Sequence, residues 1–314
     1  MREPASRQST RGRLIGAVDI GGSKIAVGLV REDGQLLGRR TCATLPERGF
    51  DDTMQRIIQM LEELGADIGE VDGIGVGCPG PLDPVSGTVL EVGTLPGWSG
   101  ANLIAPLQAH FGVDVVVEND ADAATLGEYV WGSGAGCSRF LYVTISTGIG
   151  GGAVFDGRLY RGAHGAHPEF GHHVIDPRGP LCYCGAHGCW ESLVSGTAMA
   201  AWLQQQYPAL GALSAQQICD RAAQGDPVAL SAMQRQGYYV GVGLANLITL
   251  FAPELIALGG GVMWSGELFL EEARRVITAI CTQVPAARTR IVHALAGSDV
   301  GLLGAAQCWL QRFG

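Results

Sequence analysis

The sequence lacks the features of a membrane, fibrous or nucleic-acid-binding protein. No apolar run in its 314 residues is long enough to span a bilayer. Its 21 Lys and Arg residues form no basic block, and 30 Asp and Glu residues give a net charge of -9, which repels nucleic-acid backbones. Residues 1–13 have no signal-peptide core. We therefore expect a cytoplasmic protein without nucleic-acid or membrane partners, with a flexible tail over residues 1–13.

Charged residues and aromatic residues are also scarce, at 16% and 7%, whereas 47% of the residues are hydrophobic. This balance excludes a disordered chain and indicates a large buried interior. The length exceeds that of one typical domain, so two lobes are expected. We predict an N-terminal α/β lobe over residues 14–130, completed by a C-terminal helix at about 300–314, and a second α/β lobe over residues 131–299 that carries helices suited to dimer contacts.

The cysteines do not form a disulfide framework, because there are nine and three of them crowd into eight residues. These three are Cys182, Cys184 and Cys189, and His172 precedes them by ten residues or more. Three thiolates and one imidazole make a tetrahedral zinc set with no open position, which predicts a structural metal. His173 and His187 are alternative ligands at this stage.

Neither familiar nucleotide-binding motif is present. There is no phosphate loop ending in Gly-Lys-Ser/Thr, and no Gly-rich turn is followed by the helix of a dinucleotide fold. Two Gly-rich turns instead join predicted strands, and their amides can cradle phosphate oxygens. We predict that they bind ATP, with Asp19 holding Mg²⁺ and further contacts from a third turn. The predicted ATP and Mg²⁺ residues are Asp19, Gly21, Gly22, Ser23, Lys24, Thr147, Gly148, Gly150, Gly260 and Gly261.

The hydrophobic pattern runs through two similar halves, each opening with strand, Gly-rich turn and strand, which indicates an internal duplication. The predicted strands are Leu14–Ile20, Lys24–Val30, Val71–Cys78, Val113–Val117, Phe140–Ile145, Gly152–Phe155, Leu255–Leu258 and Arg290–Val292. The predicted helices include Asp51–Leu64, Ala101–Phe111 and Leu302–Gln311.

Three carboxylates are placed for chemistry on a polyol. Asp120 follows the buried strand Val113–Val117 at a predicted helix start, where it can cap the helix or act as a general base. Glu169 and Glu191 flank the Cys and His segment. A rigid metal loop would direct both glutamates toward one space, where sugar hydroxyls are suitable guests.

Together these motifs resemble the ROK family of sugar kinases and related repressors, and the resemblance runs through nearly the whole chain from Leu14. The pieces that carry it are Asp19-Ile-Gly-Gly-Ser-Lys24, Gly77-Cys-Pro-Gly-Pro81, Leu95-Pro-Gly-Trp98, Glu118-Asn-Asp120, Ser146 to Gly152 and the Glu169 to Glu191 segment.

The resemblance implies a two-lobed, actin-like (ribonuclease H-like) α/β fold with an inserted zinc-binding loop. ATP and a hexose would meet in its cleft, and the lobes would close on the sugar. It implies Asp120 as the catalytic base and a homodimer or homotetramer. The implied sugar-binding residues are Gly80, Asn119, Asp120, Glu169, His172 and Glu191, and the implied zinc ligands are His172, Cys182, Cys184 and Cys189.

Two departures from the family pattern concern the substrate. Ser23 stands where Thr is common, and Thr94 stands where many glucose-type members have Asn. We expect an ATP- and Mg²⁺-dependent kinase that phosphorylates the 6-hydroxyl of a hexose, with glucose the leading substrate. N-acetylmannosamine or N-acetylglucosamine kinase is the enzymatic alternative, and a non-catalytic sugar sensor is the other. A DNA-binding repressor is not expected, because residues 1–13 leave no room for a helix-turn-helix domain before the first turn.

Overall fold

The structure is a computed structural model that describes residues 12–163 and 166–314. Most of the predicted tail, residues 1–11, lies outside these described residues. The chain divides into two units, of which the first ends at Gly127 and also includes Asp299–Gly314, and the second spans Glu128–Ser298. Each unit has its own five-stranded sheet and its own hydrophobic core.

The sheet of the first unit has the strand order β3-β2-β1-β4-β7. Its strands are β1 (Leu14–Ile20), β2 (Lys24–Arg31), β3 (Leu36–Ala43), β4 (Gly73–Cys78) and β7 (Asp114–Asn119), and two short strands, β5 (Leu82–Asp83) and β6 (Thr88–Val89), pair separately. The first three strands form an antiparallel meander, whereas β1, β4 and β7 are parallel. Their carboxyl ends therefore meet at one edge of the sheet.

Helices cover this sheet through faces that the sequence dictates. They are α1 (Phe50–Ile68), α2 (Ile104–Phe111), α3 (Asp120–Trp131) and α9 (Val300–Phe313). Helix α1 buries Met54, Ile57 and Leu61 at helical spacing. Helix α9 approaches β4 so closely that a Cβ atom on Gly75 would overlap the carbonyl oxygen of Ala305. Only glycine at that position permits the contact.

The sheet of the second unit repeats this arrangement in the order β10-β9-β8-β11-β12. Its strands are β8 (Arg139–Ile145), β9 (Ile149–Phe155), β10 (Arg158–Leu159), β11 (Leu255–Gly259) and β12 (Arg290–His293). Strands β8, β9 and β10 form an antiparallel meander, and β8, β11 and β12 are parallel. The two mixed sheets thus share one topology, which supports the predicted duplication and is consistent with an actin-like α/β fold.

The second unit is richer in helices, and its longest helix anchors the Cys and His segment. The helices are α4 (Trp190–Val194), α5 (Gly196–Gln206), α6 (Ala215–Ala223), α7 (Pro227–Phe251) and α8 (Leu270–Ile280). Asp226 caps α7 by accepting from the amides of Val228 and Ala229. Trp190 is fully buried and donates from Nε1 to the carbonyl oxygen of Tyr239 in α7 at 3.0 Å.

Most predicted elements exist, with shifted ends. Strand β9 begins at Ile149 and not at Gly152, so part of the expected glycine loop is strand. Helix α2 begins at Ile104 and not at Ala101, because residues before it form a bridge and a bend. Within the described residues, no helix is both long and apolar enough to cross a membrane.

Candidate functional site

The parallel strands of the first unit bring two carboxylates to the same edge of the sheet. Asp19 of β1 pairs with Gly77 of β4, which in turn pairs with Glu118 of β7, and Asp120 follows that strand. A Cβ atom on Gly77 would lie 3.5 Å from the Cα atom of Asp120 and 3.8 Å from Oδ1 of Asp19. Asp19 and Asp120 therefore converge over one glycine.

The beginning of α3 corrects the predicted role of Asp120 as the helix cap. Oδ1 of Asn119 accepts from the amides of Ala121 and Asp122 at 2.9 and 3.1 Å, which is the N-cap pattern. Asp120 is instead the first residue of the helix, and its Oδ1 accepts from the amide of Ala121 at 2.8 Å. Asn119 therefore caps the helix, and the hydrogen bond from the amide of Ala121 orients the Asp120 carboxylate beside it.

Gly80 belongs to the same cluster. A Cβ atom on Gly80 would lie 3.1 Å from Nδ2 of Asn119, and the peptide bond from Gly80 to Pro81 is cis. The structure thus brings together the three residues of the first unit that the family resemblance assigns to sugar: Gly80, Asn119 and Asp120.

The first glycine turn closes between β1 and β2, where the amide of Gly21 donates to the carbonyl oxygen of Lys24 at 2.9 Å. Gly22, Ser23 and Lys24 are exposed and accessible to a ligand. Thr44, which no sequence motif indicated, is fully buried and binds both sides of this turn. Its Oγ1 donates to the carbonyl oxygen of Gly21 at 2.6 Å, and its amide donates to that of Ser23 at 3.0 Å.

Asp19 lies beside this turn, and its carboxylate is largely shielded from solvent. A Cβ atom on Gly301, in the first turn of α9, would lie 2.5 Å from its carboxylate. Burial raises the pKa of Asp19 to about 6, although the positive charge of Lys24 acts in the opposite direction. Burial thus disfavours the ionised carboxylate more than Lys24 stabilises it. A bound cation would compensate the remaining negative charge, so Asp19 is suited to bind one.

The second glycine turn, between β8 and β9, is held by more distant segments. The amide of Gly196 donates to the carbonyl oxygen of Ser146 at 2.7 Å, and Oγ1 of Thr197 donates to that of Thr147 at 3.0 Å. Both partners begin α5, roughly fifty residues further along the chain. Of the predicted ATP residues, Thr147 and Gly148 lie in the turn itself, whereas Gly150 lies in β9.

Glu191 joins this turn to the Cys and His segment. Its Oε2 accepts from the amide of Ile149 at 2.7 Å. A Cβ atom on Gly148 would lie 2.5 Å from the same oxygen, so the glycine provides the room that the carboxylate occupies. The predicted sugar residue Glu191 and the predicted phosphate residue Gly148 are therefore in direct contact.

Four predicted metal ligands form one cluster. The ligand atoms of His172, Cys182, Cys184 and Cys189 all lie within 4.8 Å of one another. Nδ1 of His172 is 3.5 Å from Sγ of Cys182, and the sulfur atoms of Cys184 and Cys189 are also 3.5 Å apart. A tetrahedral zinc ion with three thiolates and one imidazole separates its ligand atoms by about 3.5 Å. Donor set and spacing therefore fit zinc.

The two alternative histidines point elsewhere. Nδ1 of His173 lies 2.6 Å from the carbonyl oxygen of Phe170, and its ring packs against Trp190. His187 is exposed, and its Nδ1 lies 3.2 Å from the carbonyl oxygen of Gly179. Neither belongs to the cluster, so the structure selects His172 among the three candidates.

The other nitrogen of His172 faces away from the sulfur atoms. Its Nε2 lies 2.9 Å from the phenolic oxygen of Tyr183, which stands between Cys182 and Cys184 in the sequence. Glu169 immediately precedes the short 3₁₀ helix Phe170–His172, which packs on β9. One imidazole thus faces the cysteines through Nδ1 and the phenol of Tyr183 through Nε2.

Comparison with known proteins now identifies the family. The model of the ROK family matches residues 15–312.

The chain belongs to the ROK family.

Its similarity to individual ROK proteins extends over nearly its whole length. A glucokinase of Thermotoga maritima is 35% identical, with 96% of this chain and 98% of that protein covered. A crystal structure of a ROK glucokinase from Streptomyces griseus in complex with glucose and AMPPNP is 34% identical and superimposes with a TM-score of 0.83, covering 96% of this chain and 100% of that one. A ROK hexokinase from Thermus thermophilus is 33% identical, with a TM-score of 0.81 and coverage of 95% and 99%.

This ROK chain also contains a cavity of about 430 Å³ beside the second glycine turn. Thr147 and Gly261 line it, and the adjacent Gly260 lies against the backbone of Ile145 with φ 89°. Apart from Ser146 of the turn itself, its other walls come from α5, from α6 and the residue before it, and from the segment after β11, and they carry no recognisable sequence motif. These lining residues are Ser146, Gly196, Thr197, Ala200, Ser214, Ala215, Gln216, Cys219, Val262 and Trp264.

Proposed function

We propose that this protein is an ATP-dependent glucokinase that transfers the γ-phosphoryl group of ATP to the 6-hydroxyl of glucose. The observation that carries the proposal is similarity to glucokinases over nearly the entire chain, including a relative 35% identical over 96% of it. The catalytic-type residues are present as well, since Asp120 stands beside Asp19 at the carboxyl edge of the first sheet.

Asp120 is the proposed catalytic base. Phosphoryl transfer depends mainly on positioning and charge stabilisation, and the acceptor hydroxyl needs a group that takes its proton as the new bond to phosphorus forms. The 6-hydroxyl proton passes to the Asp120 carboxylate, the oxygen binds phosphorus, and the bond to the leaving ADP breaks. The amide of Ala121, 2.8 Å from Oδ1, holds the carboxylate in place for this step.

ATP and Mg²⁺ are assigned to the glycine turns and the cavity. When bound, Mg²⁺ neutralises the charge of the phosphates, and Asp19 is the proposed residue that holds it, directly or through water. Exposed amides of the two turns would bind phosphate oxygens. The cavity lined by Thr147, Gly261 and Trp264 has about the size of a nucleoside and is the proposed base site.

The sugar contacts proposed from the family resemblance are Gly80, Asn119 and Asp120 in the first unit and Glu169, His172 and Glu191 in the second. The contact between Glu191 and the amide of Ile149 supports a role in which the same carboxylate orients a sugar and a phosphate-binding turn. Zinc is the proposed structural metal of the cluster, and when bound it fixes the His172 ring through Nδ1.

The cellular location and the oligomeric state of the protein are proposals as well. ATP as substrate and the free state of all nine cysteines support a cytoplasmic enzyme. A homodimer or homotetramer is expected for a ROK kinase.

A coupled assay of ADP release over glucose, mannose, N-acetylglucosamine and N-acetylmannosamine tests the proposal. We expect the highest kcat/KM for glucose, and Asp120→Asn should abolish most of the ADP release. Preference for an N-acetylated sugar would make the protein an N-acetylhexosamine kinase. Sugar binding without ADP release from any of the four would make it a sugar sensor instead.

A further inference from the structure

Tyr183 occupies an unusual position in the metal segment. It lies between two cysteines of the cluster, and its side chain is highly exposed, at 81%. Its phenolic oxygen is nevertheless 2.9 Å from Nε2 of His172, and the two rings meet edge to face with their centroids 5.0 Å apart at 87°. An exposed tyrosine with a defined polar partner calls for an explanation.

The arrangement of the imidazole determines which group donates. Nδ1 of His172 faces the sulfur of Cys182, so a metal bound there requires Nδ1 without a proton and leaves the proton on Nε2. Nε2 then donates to the phenolic oxygen of Tyr183. With Nδ1 on the metal, Nε2 is the ring nitrogen of His172 that remains for a ligand hydroxyl. The Tyr183 hydroxyl accepts a hydrogen bond from this same nitrogen.

The Tyr183 hydroxyl can take the place of a ligand hydroxyl in this contact. Its O–H can donate a hydrogen bond while its oxygen accepts one. A sugar hydroxyl has the same capacity to donate and accept.

We propose that Tyr183 is a placeholder for a sugar hydroxyl: in the sugar-free protein its phenol occupies the position at His172 Nε2, and a bound hexose must displace it. This inference rests on the proposed sugar site. Displacement needs little rearrangement, because most of the ring is already in solvent. The placeholder keeps His172 oriented while the site is empty and competes with the sugar for the same nitrogen.

The alternative is that Tyr183 binds the sugar itself, by stacking or by a hydrogen bond from its hydroxyl. The two roles predict opposite effects of removing the hydroxyl. Loss of a competitor should tighten sugar binding, whereas loss of a sugar ligand should weaken it. Removing the phenolic oxygen of Tyr183 therefore distinguishes the two roles.

The experiment measures glucose binding to the full-length, zinc-loaded protein by isothermal titration calorimetry without ATP. We expect Tyr183→Phe to lower the Kd for glucose by about five-fold, which corresponds to about 1 kcal/mol. Tyr238→Phe is the matched control, since Tyr238 is also exposed, at 47%, and lies on α7 away from the cysteines in sequence. An unchanged or higher Kd for Tyr183→Phe overturns the proposal.

A second measurement follows the phenol by spectroscopy. Glucose added to the wild-type protein should produce a near-ultraviolet tyrosine difference spectrum as the phenol leaves His172, and this signal should be missing in Tyr183→Phe and present in Tyr238→Phe. A spectrum that is the same in Tyr183→Phe would overturn the placeholder. Zinc content measured on each sample shows whether the cluster is intact.

The kinase proposal and the placeholder proposal can be rejected independently of each other. Glucose phosphorylation with no effect of Tyr183→Phe on the Kd or on the spectrum rejects the placeholder and leaves the kinase proposal standing. Tighter glucose binding to Tyr183→Phe, with no ADP release by the wild-type protein, supports the placeholder and rejects the kinase proposal.

Discussion

The two glycine turns occupy equivalent places in their sheets but differ in charge. Asp19 is the penultimate residue of β1, and the penultimate residue of β8 is Thr144. The first turn therefore has a carboxylate whose pKa is raised by burial, whereas the corresponding position of the second turn is neutral. One backbone arrangement thus supports two chemistries: a site for a cation in the first unit and neutral polar groups for phosphates in the second.

The turns also differ in how they are held. Thr44, which immediately follows the neighbouring strand β3, fixes the first turn through its hydroxyl and its amide. The second turn depends on Glu191 and on the start of α5, which are remote in sequence. The first turn is held by the residue that follows the neighbouring strand, whereas the second is held by Glu191 of the metal segment and by the start of α5. This comparison leads to four predictions, beginning with the largest effect.

Removing the proposed base, Asp120, from the first unit should have the largest effect on turnover. Asp120→Asn keeps the size of the side chain but cannot accept the proton, so kcat should fall by at least ~10²-fold while the Kd for glucose changes little. Steady-state kinetics and calorimetry provide the two values. Asp114→Asn, at the exposed start of β7, is the control. Turnover near the wild-type level would exclude Asp120 as the base.

Removing one thiolate should damage the second unit selectively. Cys184→Ser should lose roughly one zinc per chain and weaken glucose binding by about tenfold or more, because the segment that carries His172 and Glu191 loosens. Metal analysis by mass spectrometry and calorimetry measure both effects. Cys42→Ser, outside the cluster, should retain the metal. Normal glucose affinity in a zinc-free Cys184→Ser protein would contradict a structural role for the metal.

A single methyl group should separate the second turn from Glu191. In Gly148→Ala the new Cβ atom meets Oε2 of Glu191, so the hydrogen bond to the amide of Ile149 is lost and kcat/KM should fall by about tenfold. Gly65→Ala, where a Cβ atom meets nothing within 4 Å, is the control and should keep full activity. Equal kinetics of the two variants would mean that the turn does not need this contact.

The smallest effect concerns stability and pH. The pKa of Asp19 is about 6 in the folded protein against 3.8 as the reference value, so protonation favours folding. Its contribution is fully present below pH 3.8 and is lost as the pH rises through 6, amounting to about 1 to 3 kcal/mol by pH 7. Asp19→Asn should be more stable than wild type at pH 7 and similar at pH 4.

Urea denaturation of the nucleotide-free protein at pH 4, 5, 6 and 7 measures this difference. Asp67→Asn, an exposed aspartate on α1, should follow the wild-type pH dependence. An Asp19→Asn protein that is less stable than wild type at pH 7 would show that the ionised carboxylate is satisfied in the folded state.

The strands and the family were accessible from the sequence because their signals are local. The strand Leu14–Ile20 was predicted with its observed bounds, since a mainly apolar stretch, broken only by Asp19 near its end, lies between a polar tail and a glycine pair. The predicted ROK family is confirmed by the match over residues 15–312. Boundaries were less accessible: Ile149 to Gly151 pair with β8 as strand, although glycines alone indicate a loop.

Roles that depend on side-chain direction were not accessible. Asp120 and Asn119 are both good N-cap residues, and only the course of the backbone after β7 decides that Asn119 accepts the helix amides. Likewise, three histidines stood near the cysteines, and the fold places His172 against the sulfur atoms, packs His173 on Trp190 and turns His187 to the carbonyl oxygen of Gly179.

The strand and helix types, the glycine turns, the Cys and His donor set and the family could be predicted from the sequence, because each depends on residues close together along the chain. Three contacts become visible only in the folded chain: Thr44 holds the first turn, Glu191 accepts from the amide of Ile149, and the phenol of Tyr183 meets His172. The first two contacts join residues more than twenty positions apart, and the third depends on the fold of the cysteine loop. Sequence spacing does not encode such distances, because they arise when sheets, helices and loops pack together.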